Sequence, residues 1–535
     1  MKKMDGNFAL MLHAHIPYCR KSGTWPAGEE WLFEAMNETY IPLLSVFRRF
    51  QQKNLKPHIM FGVVPILAEQ LADPYMNDQF CAYMEDKISR AEQDIDRFSH
   101  EKKKQAVAQF HKDTFERTYN TYKNDFYRNV VGTLKWLQEE GVIEILTSAA
   151  THGFLPLLES DSGIYSQLKV GIQTYEKYFE TKPKGIWLPE CAYRPRDWSK
   201  RYNYERRSID EWLADEGLSY FFTEDIGITN AEFVDNKHGE SHPSTYRGYK
   251  LESGVCVFGR NSITGKQVWS PEIGYPGDPY YREFHQKDSQ SGLHYWRITG
   301  GSHKDIYDPS RAKESVQNQA EHFTSLVLNT LKSKRGEISD CLPLIMSPYD
   351  CELYGHWWME GVDWLEAVYQ RFAKMPQIRT ISLSTLVEEQ QDSFSIIKMQ
   401  PSTWGKNGDF TVWNNPEHAW LWPYINSSIK DFEEVLKLII DSKRVYSQRD
   451  NRILQQCARE LLLMEGSDWP FLLYTKQAKE YANQRFHNHH QRFNKLLWAA
   501  KNLDDLNRIS DGELHQIEEI DNPWPHLDFN LFREK

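Results

Sequence analysis

Two carboxylates stand at the ends of apolar runs that have the character of buried strands. Glu190 follows the run 185–188, and the intervening Pro189 cannot donate to a sheet ladder, so the strand ends there. Asp350 closes the apolar run 342–349 and also follows closely after a proline. Both acidic groups are therefore expected at the rim of a sheet, where a pair of acids could share one active site.

Three histidines could lie at the same rim. His13 and His15 end the first strand-like run, and the side-chain period of two places both rings on one face. His152 lies just beyond another predicted strand. The rings are open to three interpretations: metal ligands, hydrogen-bonding groups for a polar substrate, or structural histidines. Together with Asp350 they permit a metal-dependent hydrolase, but that alternative leaves Glu190 without a role.

Aromatic residues make up 14% of the chain, and several tryptophans lie in polar loops. Most large aromatic side chains fill cores, where burial of each one contributes roughly 2–3 kcal/mol. Trp269, Trp404 and Trp413, however, have amides, hydroxyls or glycines beside them in the sequence. A flat apolar face among polar groups is a surface on which a sugar ring stacks. These loops therefore favour a carbohydrate ligand.

Length and composition limit the class of protein. A chain of 535 residues predicts two or three domains, because one core rarely grows beyond roughly 250–300 residues. Its apolar runs are too short for a membrane-spanning helix, and the start of the chain leads into a strand, so a cytoplasmic location is expected. Seven scattered cysteines predict free thiols. A net charge of -11 argues against a nucleic-acid partner and leaves a neutral ligand as the better fit.

Strand-like runs alternate with amphipathic segments over the first 400 residues. The predicted strands are 8–13, 59–64, 142–147, 185–188, 218–223, 255–258, 342–347 and 380–383, and the helical segments include 31–50, 162–179, 204–216 and 310–334. This alternation predicts a parallel sheet. Because the functional residues fall at strand ends, a (β/α) barrel is the leading architecture and a doubly wound open sheet is the alternative.

Three stretches depart from the alternation. Residues 74–130 are densely charged without a strand-like run, which predicts a helical insertion. Residues 230–250 form a long polar segment that is typical of a lid loop. The last part of the chain has a helical pattern throughout. We therefore expect a catalytic barrel at 1–400 and a C-terminal helical domain at 401–535 that contributes to the substrate cleft.

A series of short motifs runs through nearly the whole chain. They are His13 to Tyr18, Trp25 to Leu32, Ala150 to Leu157, Trp187 to Tyr193, Phe258 to Asp278, Asp350 to Gly361 and Gly466 to Phe471. Taken together and in this order, they resemble the signature regions of glycoside hydrolase family 57, most closely those of its members that branch 1,4-α-glucans. Each motif alone would be weak, but the ordered set is specific.

The resemblance implies an α/β fold: a distorted (β/α)7 barrel with a helical insertion and a C-terminal α-helical domain. It also implies retaining chemistry without a cofactor or metal, for which two carboxyl groups lie about 5–5.5 Å apart. Glu190 would be the nucleophile and Asp350 the proton donor. Burial and an ionised Glu190 could raise the pKa of Asp350 enough to keep it protonated near neutral pH.

The resemblance further implies a set of substrate-binding residues. They are His13, His15, His152, Arg260, Trp269, Gly277, Trp404, Trp413, Asp468 and Gln477, with Trp269 and Trp413 as stacking platforms. A helix N-cap is the alternative role for Asp468. Tyr246 and Tyr249 are candidates for the lid tyrosine, although their spacing departs from the family's Tyr-Gly-x-Tyr pattern.

The expected partner is an α-glucan polysaccharide such as amylose, amylopectin or glycogen, bound by a monomer, with no nucleic acid and no membrane. Transfer of the cleaved chain to a 6-hydroxyl distinguishes a branching enzyme from an α-amylase, which uses water. A 4-α-glucanotransferase would instead remake α-1,4 linkages. A catalytically silent glucan-binding protein is the alternative of a different class.

Overall fold

The computed structural model describes residues 4–301, 303–338, 340–441, 446–502, 505 and 508–533. Its strands are β1 Gly6–Ala14, β2 Ile59–Val63, β3 Ile143–Ser148, β4 Gly185–Trp187, β5 Asp197–Ser199, β6 Tyr204–Arg206, β7 Tyr220–Thr223, β8 Glu232–Asp235, β9 Tyr249–Lys250, β10 Cys256–Gly259, β11 Leu344–Asp350, β12 Ile378–Thr380 and β13 Ile396–Lys398. All nine residues of β1 are buried, as expected for a parallel strand covered on both faces.

Parallel pairing joins these strands into a barrel in the order β11, β1, β2, β3, β4, β7, β10. The ends of this sheet meet where the backbone N–H of Asn261 donates to the carbonyl of Met346 at 2.8 Å. Beside that bond the hydroxyls of Thr264 and Ser347 lie 2.8 Å apart. The predicted seven-stranded barrel is therefore confirmed, and the open sheet is excluded.

Irregular pairing distorts the barrel beside β10. There β9 runs antiparallel to β10, and the sheet continues through β13 to β8. The predicted strand 380–383 is largely wrong. The strand at this place is β12, which pairs with β1 and ends at Thr380, and Leu383 already begins a helix.

The helices are α1 Glu29–Ala35, α2 Ile41–Gln52, α3 Pro65–Ala72, α4 Pro74–Arg97, α5 Lys102–Asn120, α6 Val130–Glu139, α7 Asp161–Phe179, α8 Ile209–Asp215, α9 Asp225–Thr229, α10 Ser262–Trp269, α11 Pro309–Glu337, α12 Gly361–Phe372, α13 Leu383–Gln390, α14 Leu421–Asp441, α15 Gln448–Met464, α16 Asp468–Thr475, α17 Lys479–Lys501 and α18 Asp511–Ile520. The predicted helix 204–216 begins too early. Ser208 and Glu211 form a capping box that starts α8 at Ile209, and Tyr204 belongs to β6.

The segment predicted as a helical insertion contains α4 and α5, which pack against each other. Asp73 starts α4 by accepting a hydrogen bond from the backbone of Met76. After β13 the regular elements that the structure describes are helical, from α14 to α18. None of the described helices combines the length and the apolar character needed to cross a bilayer.

Candidate active site

A cleft of about 810 Å³ opens at the carboxyl ends of the barrel strands. Its lining includes His13, His15, Trp31, His152, Glu190, Asp350, Glu352, His356, Trp357, Trp404, Asp468, Phe471, Gln477 and Tyr481. The early residues of this set come from the barrel and the later ones from α16, α17 and the segments beside them. The barrel and the C-terminal helices therefore build one cleft together, with both predicted catalytic carboxyl groups in it.

Glu190 is held in a strained conformation immediately after β4. Its φ of 62° lies in the left-handed region, which is costly for a residue with a side chain and is concentrated at functional sites. The Nε1–H of Trp404 donates to its Oε2 at 2.8 Å, and the hydroxyl of Ser467 donates to its Oε1 at 2.8 Å. Burial has the largest effect and raises the pKa of Glu190 overall, while these two donors oppose the rise by stabilising the ionised form. Glu190 is thus an oriented hydrogen-bond acceptor.

Asp350 ends β11 and is paired in register with His13 of β1. Burial raises the pKa of Asp350 well above its ordinary value, and the neighbouring Glu352 and Glu190 raise it further. Arg260 and His15 act in the opposite direction but do not outweigh these effects. These surroundings favour the protonated form of Asp350, which is the direction that the acid of an acid–nucleophile pair requires.

The three predicted histidines form one stacked group beside Glu190. The Nε2 atoms of His13 and His152 lie 3.1 Å apart, and the ring centroids of His15 and His152 are 4.2 Å apart. Burial, followed by the neighbouring imidazoles, lowers the pKa of His152, and burial followed by His15 lowers the pKa of His13. Burial also opposes protonation of His15, but the carboxylates of Asp468, Glu190 and Glu352 together outweigh it and raise the pKa of that ring.

Asp468 bonds directly to the histidine group: its Oδ1 lies 2.7 Å from the Nε2 of His15. The helix N-cap position belongs to Ser467, and Asp468 is the first residue of α16, so the capping role considered for Asp468 is wrong. Gln477 also lines the cleft. Asp468 therefore joins the C-terminal helices to the barrel inside the cleft.

Arg260 and Gly277 lie outside the lining of the cleft. The guanidinium of Arg260 pairs with Glu224 through two contacts, Nε to Oε1 at 3.1 Å and Nη2 to Oε2 at 2.6 Å. Its charge nevertheless reaches Asp350, whose pKa it lowers. Gly277 ends a short 3₁₀ turn with open space at its Cα. Arg260 therefore affects the site by lowering the pKa of Asp350. Gly277 lies in an exposed turn and has no neighbouring atoms where a side chain would begin.

The two predicted stacking platforms have different surroundings. Trp269 is 38% exposed, and its ring centroid lies 5.9 Å from that of Trp357, which is 39% exposed and lines the cleft. Trp413 is only 1% exposed and stacks on Phe154 with centroids 4.8 Å apart. A sugar ring cannot reach Trp413, so its predicted role as a platform is wrong. It packs beneath the loop that carries Trp404, since a Cβ added at Gly405 would meet its ring at 2.5 Å.

The tyrosines predicted for a lid lie elsewhere in the fold. Tyr249 belongs to β9, is fully buried, and accepts a hydrogen bond from the backbone of Ser244 at 2.7 Å. The backbone carbonyl of Tyr246 accepts from Leu344 at the start of β11, opposite to the end that carries Asp350. Strand pairing thus fixes the two ends of the segment 230–250 through β8 and β9, and neither tyrosine lines the cleft.

Sequence reasoning gave no site role to two polar residues, of which one touches Glu190 and the other holds the backbone of His15. Ser467 bonds to Glu190, and Glu352 accepts hydrogen bonds from the backbone of His15 at 3.1 Å and from the hydroxyl of Tyr40. Both lie inside motifs that the sequence singled out for their neighbours, Asp468 and Asp350. Each lies one or two residues from a predicted site residue, and this proximity is the feature of the sequence that could have indicated a role in the site.

Among the described residues, one cluster has a metal-like arrangement of side chains, and it lies outside the cleft. Ligand atoms of Glu460, His489 and Asp521 are within 4.8 Å of one another in the C-terminal part of the chain. Arg492 already pairs with Asp521 there, which makes the cluster a buried ion-pair network. In the cleft, the histidine nitrogens bond to one another, to Ser467 and to Asp468.

A parallel-stranded barrel with two buried carboxyl groups in a cleft at its carboxyl end, one of them accepting hydrogen bonds on both oxygens, is the arrangement of a carbohydrate-cleaving enzyme. The family model for Glycosyl hydrolase family 57 matches residues 9–400. A second model, described as 1,4-alpha-glucan branching enzyme, C-terminal, matches residues 429–532. The chain belongs to glycosyl hydrolase family 57.

Curated and solved relatives agree with this membership. A 1,4-alpha-glucan branching enzyme of Thermococcus kodakarensis is 42% identical over 97% of this chain and 78% of its own length. A branching-enzyme structure from Pyrococcus horikoshii matches with a TM-score of 0.91 at 40% identity, covering 99% of this chain and 97% of the other. The alpha-amylase AmyC of Thermotoga maritima matches with a TM-score of 0.86 at 29% identity, covering 99% and 100%.

Replacing Trp404 by phenylalanine tests the donor to Glu190. Trp404→Phe keeps an aromatic ring but removes the Nε1–H, so Glu190 loses one of the two bonds that orient it. A hydrogen bond to a charged group contributes roughly 1.5–3 kcal/mol, and we expect turnover on amylose to fall about tenfold or more. Trp413→Phe is the matched control, since the structure gives its Nε1 no hydrogen-bond partner among the described residues. Equal losses in the two variants would contradict the role of Trp404.

Replacing Glu352 by glutamine tests the electrostatic control of Asp350. General-acid activity is present below the pKa of Asp350 and is lost as pH rises through it. Glu352→Gln keeps an acceptor for the backbone of His15 but removes a negative charge that raises this pKa. The alkaline limb of the pH profile of kcat/KM should therefore move to lower pH. Glu480→Gln, at an exposed position in the same cleft, should leave the limb in place; an unmoved limb in Glu352→Gln would refute the coupling.

Proposed function

We propose that this chain is a retaining 1,4-α-glucan branching enzyme. The observation that carries the proposal is the division of roles between the two carboxyl groups of the cleft. Glu190 accepts hydrogen bonds on both oxygens, whereas burial and two acidic neighbours raise the pKa of Asp350. One cleft thus holds a nucleophile and an acid, in a chain that belongs to family 57 and matches the branching-enzyme C-terminal model.

The first half of the reaction cleaves the donor glucan. A carboxylate oxygen of Glu190 attacks the anomeric carbon and forms an ester with the sugar. The glycosidic C–O bond breaks, its electron pair goes to the leaving oxygen, and Asp350 gives that oxygen a proton. The products are a shortened glucan and a glycosyl-enzyme, and the configuration at the anomeric carbon is inverted once.

The second half transfers the chain. The 6-hydroxyl of an acceptor glucan attacks the anomeric carbon, and the ionised Asp350 takes its proton. The ester bond breaks, its electron pair returns to Glu190, and a second inversion restores the α configuration. The result is an α-1,6 linkage, and the enzyme regains its starting protonation state.

The cleft has the surface needed to hold an acceptor chain. Trp31, Trp357, Phe471 and Tyr481 line it, and flat aromatic faces bind sugar rings while excluding water from the intermediate. The expected ligand is a neutral α-glucan, in keeping with the net charge of -11.

Incubation with amylose tests the proposed reaction. We expect α-1,6 linkages, measured by proton NMR or by debranching and chain-length analysis, to outnumber new reducing ends. Glu190→Gln and Asp350→Asn preserve side-chain size but remove the nucleophile and the acid, so each should lower the rate by about a hundredfold to ten-thousandfold. Unchanged function in both variants would identify a glucan-binding protein instead.

The products also separate the alternatives within the family. New reducing ends without branches would make the chain an α-amylase, the activity named for the Thermotoga relative. Redistribution of chain lengths with α-1,4 linkages only would make it a 4-α-glucanotransferase. Either outcome would overturn transfer to a 6-hydroxyl and would leave the catalytic pair intact.

The aromatic pair at the cleft edge should favour transfer over hydrolysis. Trp357→Ala removes the exposed face that lines the cleft, and loss of about 1 kcal/mol of stacking corresponds to roughly a fivefold change. We expect the ratio of α-1,6 linkages to reducing ends to fall by about this factor. Trp498→Ala, at a 50% exposed position of α17, is the control. The same ratio in both variants would exclude Trp357 from acceptor binding.

A further inference from the structure

We propose that Ser467 is a positioning residue that links the histidine group to the nucleophile and speeds release of the sugar from Glu190. The inference rests on the proposed retaining reaction and assigns to the C-terminal helical region a role in that chemistry. Its starting point is the pair of contacts made by the hydroxyl, 2.8 Å to Oε1 of Glu190 and 2.8 Å to Nδ1 of His152.

The Ser467 hydroxyl makes hydrogen bonds that differ from those expected at its position in the helix. Ser467 occupies the N-cap position of α16, where a serine oxygen ordinarily accepts a hydrogen bond from the first turn of the helix. Its side chain makes no such capping bond and instead bridges Glu190 and His152. The helix therefore gives up a stabilising contact at its own end to supply a hydroxyl to the cleft.

Hydrogen-bond chemistry fixes the direction of this bridge. Trp404 Nε1 is a donor only, so Glu190 already accepts on Oε2. The hydroxyl of Ser467 has one hydrogen, and bonding to the carboxylate is the charge-assisted and stronger use of it. If the hydrogen pointed to His152 instead, the Ser467 oxygen and Oε1 of an ionised Glu190 would face each other with lone pairs at 2.8 Å. The hydroxyl therefore donates to Glu190.

The same reasoning orders the protons of the histidines. Because Ser467 donates to Glu190, it accepts from His152, which places a hydrogen on Nδ1 of that ring. Nε2 of the neutral His152 is then an acceptor, so Nε2 of His13 donates to it across 3.1 Å. Nδ1 of the neutral His13 then carries no hydrogen and is an acceptor. In the described part of the chain this buried atom has no hydrogen-bond partner. A buried acceptor without a partner is tolerated better than a buried N–H.

The ordered chain runs from His13 through His152 and Ser467 to Glu190. The hydrogen bond from Ser467 to Glu190 is strongest when Glu190 is an ionised carboxylate and weakest when Glu190 is esterified to the sugar. In the second half of the reaction the C–O bond of the ester breaks and its electron pair returns to Glu190, while the acceptor proton goes to Asp350. Donation from Ser467 therefore grows during this step and lowers its barrier. In the first step the bond weakens as the carboxylate becomes an ester, so its removal does not raise that barrier electrostatically and affects ester formation only through the lost orientation of Glu190.

The test uses the full chain and maltotriosyl fluoride, whose fluoride leaves readily and makes breakdown of the glycosyl-enzyme the slow step. Acid quenching followed by intact-protein mass spectrometry gives the fraction of enzyme that carries the sugar. We expect Ser467→Ala to slow breakdown about tenfold and to accumulate glycosyl-enzyme, with a smaller effect on its formation. Ser467→Thr retains the hydroxyl and should restore breakdown to within about threefold of the wild-type rate.

Controls separate positioning from folding. The backbone N–H of Ser467 donates to the carbonyl of His152 at 3.0 Å, so every variant at this position keeps that link. Ser166→Ala removes another fully buried serine hydroxyl, which donates to Gly163 within α7, and should leave breakdown unchanged. If Ser467→Ala is poorly folded, as judged by thermal unfolding, Ser467→Cys replaces it, with a thiol that is a weaker donor.

Each outcome has one meaning. Equal slowing of formation and breakdown without accumulation, or a threonine variant as slow as alanine, would overturn the role assigned to Ser467. Wild-type enzyme that turns over the fluoride without any sugar on the peptide containing Glu190 would instead overturn the retaining mechanism. The two failures are therefore distinguishable.

Discussion

The active site depends on the parallel pairing of β1 with β11, which joins the first strand of the chain to the last strand of the barrel. The register sets His13 beside Asp350, and the period of two along each strand decides which side chains face the cleft. A slip of one residue would turn Asp350 away from the histidine group and carry the rest of its strand with it. Alternate side chains of β1 enter two separate core clusters, with Phe8, Leu10 and Leu12 in one and Ala9 and Met11 in the other, so a slip would exchange side chains of different size between the two clusters. Core packing and catalytic geometry are thus the same constraint.

That constraint places several ionisable groups in a small, partly dry space. Burial disfavours the ionised form of every group there, and the neighbouring donors and charges determine which groups are nevertheless stabilised as ions. Donors from Trp404 and Ser467 stabilise the anion at Glu190, while Asp350 has acidic neighbours that favour its neutral form. The imidazoles of His13 and His152 remain neutral and act through hydrogen bonds. The two carboxyl groups therefore differ because of their surroundings, since their own chemistry is nearly identical.

Sequence patterns predicted correctly those parts of the fold and the site that depend on interactions between residues close in sequence. The seven barrel strands are short apolar runs with breakers at their ends, and Glu190 and Asp350 stand where such runs stop. The same patterns could not distinguish Trp404 from Trp413, because both lie in polar loops near glycines or amides. Only the packing of Phe154, distant in sequence, covers one ring and leaves the other at the cleft. The role of Ser467 could not be predicted for a related reason. A serine before a helix is typical of an N-cap, whereas the hydrogen-bond partners of this side chain, Glu190 and His152, lie 277 and 315 residues away in the sequence. The polar segment 230–250 carried the features of a loop, yet pairing with β10 and β13 fixes parts of it.

The position of Ser467 and Asp468 late in the chain has a consequence for synthesis. Chains emerge from the ribosome from the amino end, and the barrel strands that carry Glu190 and Asp350 are complete long before α16 appears. Until then Glu190 lacks one of its two donors, and the cleft lacks one wall. A nascent barrel that has not yet been joined by Ser467 is consequently an incomplete catalyst.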